Sequence, residues 1–150
     1  MGNAFIVHHK QDIPSNTGKK YNFHAVRTTT LAKALPYVTK INVLRMDAEG
    51  SEILVINGAH DLIANSANLK IIMEWSNHSL SKYGDPNELI AYLTAQQFRF
   101  WKISATGLIE KAPYEMQQLT GFHEIYLSRT APATIAMNSY PSRLKVFGIP

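Results

Sequence analysis

Three carboxylates crowd one short stretch of this chain. Asp47, Glu49 and Glu52 lie within six residues, and no lysine or arginine occurs between Arg45 and Lys70. Like charges this close repel one another, and a merely structural turn rarely needs three of them. Such a group can hold a divalent cation, orient a hydroxyl or act as a general base. The competing reading is simpler: Glu52 serves a helix dipole and Glu49 is solvated. Glu74 interrupts the apolar run LKIIMEW near its end. A carboxylate there must be paired, hydrated or functional. His78 follows at loop distance, where a histidine can meet a ligand or simply be polar surface. His8 and His9 are adjacent, so on a strand they would point to opposite faces, a poor arrangement for a metal. His24, His60 and His123 receive no role.

The elements that must position these residues can be read from the pattern. Ile41–Met46 (INVLRM) is a short apolar run with β-branched residues, as expected of a buried parallel strand. Beyond DAEGSE, Ile53, Ile56, Ala59 and Ile63 recur at helical spacing, widened by Val55 and Leu62. Ser51 stands where an N-cap belongs, and Gly58 weakens the helix slightly but allows close packing. Leu69–Trp75 is a second buried strand, followed by the polar loop SNHSLSKYG. Asp85-Pro86-Asn87-Glu88 predicts a helix start, with Leu89, Ile90 and Leu93 as its buried face. A strand from Phe98, a turn at Gly107 and a last strand at His123–Ser128 complete the pattern. Upstream, residues 10–20 read as a loop, Phe23–Arg27 as a short strand, and Thr30–Leu35 as one helical turn closed by Pro36. Residues 130–150 hold three prolines and no period, and read as a tail.

The order is strand–helix–strand–helix–strand–strand. Alternation of this kind implies α/β architecture with parallel units and right-handed crossovers. In open sheets of that class, ligands bind beyond the carboxyl ends of the strands. The residues there are Asp47 with Glu49, and Glu74 with the loop through His78.

Composition narrows the classes. The 150 residues are 45% hydrophobic and 17% charged, which suits one packed domain and argues against wholesale disorder. No apolar run approaches the length of a membrane span. The N-terminus lacks the basic-then-apolar pattern of a secretory leader, so a cytoplasmic location is expected. Without cysteine there are no disulfides and no thiolate metal sites. The net charge of +4 is unevenly spread: residues 1–46 hold seven lysines or arginines against Asp12 alone. The lysines are dispersed and no aromatic-lined groove accompanies them, so nucleic acid is not an expected partner. The phosphate cradles G-x-G-x-x-G and G-x-x-x-x-G-K-[ST] are absent, as are G-x-S-x-G and H-E-x-x-H.

The run VRTTTLAKAL, then INVLRMDAEGSEILVINGAHDLI, then LKIIMEW resembles the FkbM family of methyltransferases. The matching residues are Thr30-Leu31, Asp47, Glu49-Gly50, Glu52, Gly58-Ala59 and Glu74, and the likeness runs from about Val26 to Arg129. Ala32 and Lys33 depart from positions that are usually acidic in the family, and Arg45 from one that is usually lysine. The resemblance implies a partial Rossmann-like sheet, mainly parallel with an antiparallel C-terminal strand. It implies that residues 1–129 form the C-terminal part of a methyltransferase domain, with the cofactor loop lying upstream of the matched region. The implied activity is S-adenosylmethionine-dependent O-methylation of a hydroxyl on a sugar, glycolipid or natural product. Asp47, Glu49 and Glu74 would be catalytic, and Glu52 and His78 would bind the acceptor. A divalent metal shared by the strand-end carboxylates stays open. So does a noncatalytic remnant or binding module. Half a sheet would expose the flank of Ile41–Met46, which implies self-association or a partner chain.

Overall fold

The computed structural model describes residues 27–133. The expected strand at Phe23–Arg27 falls outside them except for Arg27. The loop at 10–20, His8, His9, His24 and the tail beyond Ala133 also lie outside the described residues.

Short helix α1 (Leu31–Ala34) opens the described chain, and Thr30 Oγ1 accepts the Lys33 N–H at 3.3 Å as its N-cap. Strand β1 (Val43–Met46) leads into the acidic turn. The expected helix after it is two helices, α2 (Glu52–Asn57) and α3 (His60–Asn65). They part at Gly58 and Ala59, where the N–H of Ala59 donates to Ile56 O, only three residues back. Glycine is a weak helix former. Its missing side chain matters here, because a Cβ on Gly58 would meet Thr30 Cγ2 at 3.3 Å. The close packing expected at Gly58 is thus with the cap of α1.

Strand β2 (Lys70–Trp75) follows. The loop expected after it contains one helical turn, α4 (Asn77–Leu80), whose cap Ser76 accepts the Ser79 N–H at 3.4 Å. Helix α5 (Pro86–Ala95) starts as expected: Asp85 Oδ1 accepts the Asn87 N–H at 2.8 Å, and Leu89, Ile90 and Leu93 are buried. Strand β3 (Arg99–Ser104) turns at Gly107 into β4 (Gly107–Lys111), then α6 (Pro113–Gln117) and β5 (His123–Ser128). Neither β4 nor α6 is visible as a periodic pattern, since β4 is exposed along most of its length.

The sheet order is β1-β2-β5-β3-β4. Only β1 and β2 pair in parallel; β2–β5, β5–β3 and β3–β4 are antiparallel. The fold is α/β, but the expectation of a mainly parallel sheet is corrected. β1, β2 and β3 do run the same way. The antiparallel C-terminal strand β5 inserts between β2 and β3, which removes the parallel contact that the order of elements had implied, and β4 adds a hairpin at the far edge.

Register shows which face is packed. Leu44 pairs with Ile71, Ile71 with Leu127, and Leu127 with Phe100; Met46 pairs with Met73, and Met73 with Ile125. These share a face, since paired residues in neighbouring strands do. With Ile53, Ile56, Ile63, Leu80, Leu93 and Met116 of the helices, they form the core. Each side chain fully buried there contributes about 1.5–3 kcal/mol relative to exposure. The opposite face carries Val43, Arg45, Lys70, Ile72, Glu74 and Glu124, all exposed or half-buried. β1 is an edge strand among the described residues, with Val43 60% exposed.

Candidate functional site

Asp47 follows Met46, which pairs with Met73, so Asp47 emerges level with Glu74 on the neighbouring strand. Glu74 in turn pairs with Glu124 of β5. Three carboxylates therefore lie side by side across β1, β2 and β5, at the carboxyl ends of the two parallel strands. Like charges directly opposite one another destabilise a sheet. Burial pushes the Glu74 carboxyl above its ordinary value, and the negative charges of Asp47, Glu49, Glu52 and Glu124 push it further. Among the described residues, the carboxylates of Asp47, Glu49 and Glu74 accept no hydrogen bond. Asp47 and Glu49 are exposed and Glu74 is half-buried.

The turn from Asp47 to Glu52 is held by its own backbone. Glu49 has φ +54° and Gly50 φ +97°, a left-handed pair that reverses the chain, and the Ser51 N–H donates to Ala48 O at 3.0 Å. A non-glycine residue in that region is strained, and such strain clusters at functional turns. Glu52 is 1% exposed, and its Oε1 accepts the Ala48 N–H at 2.6 Å. Its carboxylate therefore closes the turn from inside. Gly50 serves a second purpose: a Cβ there would sit 2.7 Å from Ser79 O. The missing side chain lets the turn after β1 rest on α4, the helix after β2, so the two strand ends are locked together.

His78 lies on α4 and is exposed, and it is not among the groups that shift Glu74. Its neighbour Asn77 is the anchor of this helix. Asn77 Oδ1 accepts the Trp75 indole N–H at 2.9 Å, and Asn77 Nδ2 donates to Met116 O, Gln117 O and Leu119 O at 3.0–3.1 Å. Sequence reasoning named neither Asn77 nor Glu124. Placing β5 beside β2 would have revealed Glu124; nothing in the pattern marked Asn77.

Among the described residues, no group of three or more His, Asp or Glu side chains is disposed to hold a metal ion. The acids sit in a row across the sheet and do not converge on one point. The shared cation considered from sequence has no such geometry here. Nor is there a glycine-rich strand-to-helix turn open to a nucleotide among these residues. The one glycine turn at a parallel strand end has Ser79 where a ligand would need to approach. No helix of the described residues is long and apolar enough to cross a membrane.

The family model described as the methyltransferase FkbM domain matches residues 4–100. That span covers the acidic turn, β2 and α5. It starts and ends earlier than the likeness read from about Val26 to Arg129. No curated protein and no solved structure matches the chain.

Proposed function

The chain belongs to the FkbM methyltransferase family, and from that premise we propose that the strand-end carboxylates form the acceptor side of an S-adenosylmethionine-dependent O-methyltransferase. The acceptor in this reading is a hydroxyl on a sugar, glycolipid or natural product. The observation that carries it is the alignment of Asp47 with Glu74 at the ends of β1 and β2, with neither in an ion pair among the described residues.

Methylating a hydroxyl requires the oxygen to be positioned and to lose its proton. In this proposal Asp47, exposed at the end of β1, accepts the hydrogen bond of the acceptor hydroxyl. That carboxylate takes the proton as the oxygen is methylated. Glu74 beside it, whose carboxyl is held above its ordinary range and is therefore a stronger base than an ordinary carboxylate, takes the proton on from Asp47. Glu49 supplies negative charge at the rim, and His78 meets the more distant part of the acceptor. Glu52, turned inward onto Ala48 N–H, keeps the turn in shape. S-adenosylmethionine would supply the methyl group when bound, and the described residues do not form a cradle for it.

The partial Rossmann-like reading is part of the same proposal. It is supported by three co-directional strands, β1, β2 and β3, and by described helices whose buried residues join the core on one face of the sheet. The edge of β1, unpaired among the described residues, supports pairing with a second chain. Sedimentation over a range of concentrations should show association, and a monomer throughout would remove that element.

The decisive test is Asp47→Asn in a preparation that transfers methyl groups, since the amide keeps the size and loses the charge. The expected result is a methylation rate lower by about a hundredfold or more at unchanged melting temperature. Full activity would make Asp47 a turn residue.

A further inference from the structure

A cleft of about 550 Å³ borders the acidic turn at Ser51, between the segment Thr28–Ala34 and helix α2. That volume is within the range of small-molecule sites. Its walls are largely apolar, from Leu31, Leu54 and Val55, with threonine hydroxyls and Lys33 among them. No acidic residue lines it among the described residues, and residues 27–46 carry Arg27, Lys33, Lys40 and Arg45 without a single acid. The cleft thus has the opposite charge character to the carboxylate row.

Ser51 also lines this cleft, and its hydroxyl is anomalous. It stands at the N-cap of α2 but makes no capping hydrogen bond. The residue is only 7% exposed, and its Oγ has no hydrogen-bond partner among the described residues. Buried hydroxyls are almost always paired, and one left unpaired weakens the fold. A ligand oxygen would supply the missing partner.

We infer that this cleft binds a small anionic amphiphile: an apolar body against Leu31, Leu54 and Val55, and a carboxylate or phosphate head that meets Lys33 and takes the Ser51 hydroxyl proton as a hydrogen bond. The inference does not rest on the methyltransferase reading, because none of the strand-end acids lines the cleft.

Octanoate is a suitable probe, with octylammonium and inorganic phosphate as controls, titrated calorimetrically into the full chain below their self-association concentrations. Octanoate should bind at least about tenfold more tightly than either control. Amide shifts should be confined to Thr28–Ala34 and Ser51–Gly58. Lys33→Gln should abolish the preference for octanoate over octylammonium. Ser51→Ala should weaken octanoate roughly three- to tenfold while leaving the ligand-free melting temperature unchanged or raised, because the variant loses an unpaired hydroxyl and no cap. Asp47→Asn should leave octanoate binding unchanged. Equal affinity for both charges, indifference to Ser51→Ala, shifts elsewhere on the molecule, or no octanoate binding because the cleft is closed in the full chain would each overturn the inference.

Discussion

The two ends of the sheet treat charge in opposite ways. At the amino end of β2, the guanidinium of Arg129 is fully engaged. Its Nε donates to Gln96 O at 2.8 Å, Nη1 to Ser66 O at 2.7 Å and Nη2 to Ile63 O at 3.1 Å, and the guanidinium lies 4.3 Å from the Phe98 ring centre. It gathers carbonyls from the ends of α3 and α5, where helix termini leave acceptor capacity unused. Ser66 completes this end by accepting the Ile41 N–H at 2.9 Å and donating to Leu62 O at 2.6 Å. At the carboxyl end, Asp47, Glu74 and Glu124 stand in a row with no ion pair to a cation among the described residues, behind a turn with two left-handed residues. At one end the polar contacts of Arg129 and Ser66 hold the fold together. The other tolerates repulsion and strain that the fold does not need, which is the pattern expected where side chains are held for a ligand.

Breaking the paired end should have the largest effect on stability. Arg129→Met keeps much of the apolar stem but removes these hydrogen bonds and leaves Gln96 O without a partner among the described residues. It should destabilise the protein by about 3 kcal/mol, seen as a clear fall in denaturation midpoint. A change below roughly 0.5 kcal/mol would mean that water replaces the guanidinium at no cost. Gly50→Ala is the counterpart at the acidic end. Its Cβ would collide with backbone, at 2.7 Å from Ser79 O, in a conformation that side chains rarely adopt. About 2 kcal/mol of destabilisation is expected, together with altered amide signals on α4. Unchanged α4 signals would show that the two turns are not coupled through this contact.

These two positions also show what could be read from the chain before folding. Gly50 was legible as part of the Asp-x-Glu-Gly-x-Glu block, and α5 was legible from its cap, because both depend on neighbours in sequence. Arg129 was not, since its partners Ile63, Ser66 and Gln96 are far away in the chain and are backbone oxygens with no sequence signature. Glu124 was missed for a related reason: its significance comes only from the register that sets it against Glu74. The sheet was misjudged as mainly parallel on the same ground. Alternation of strands and helices specifies their directions, but not that β5 would enter between β2 and β3. Of the candidate acids, sequence placed Asp47 and Glu74 at adjacent strand ends. It could not distinguish Glu52, whose carboxylate is spent inside the turn.

The smallest effect, and the one most specific to the acidic row, concerns pH. The folded protein holds the Glu74 carboxyl above the ordinary value of 4.5, through burial first and then through the charges of Asp47, Glu49, Glu52 and Glu124. In the unfolded chain that value is restored. Between the two values the folded state binds more protons than the unfolded state, so raising the pH through this window costs stability. The penalty is absent below the ordinary value and fully present above the raised one. Glu74→Gln removes the ionisable group while keeping its shape. Its melting temperature should therefore match that of the native sequence in acid and exceed it at neutral pH, with the gap opening across the window. The corresponding change at Glu110 supplies the contrast. That carboxylate accepts the Arg99 Nε–H at 2.8 Å in an exposed pair, so Glu110→Gln should bring no gain at neutral pH. If Glu74→Gln and Glu110→Gln trace the same curve, repulsion in the row is screened by water. The two ends of the sheet would then differ in geometry but not in energy.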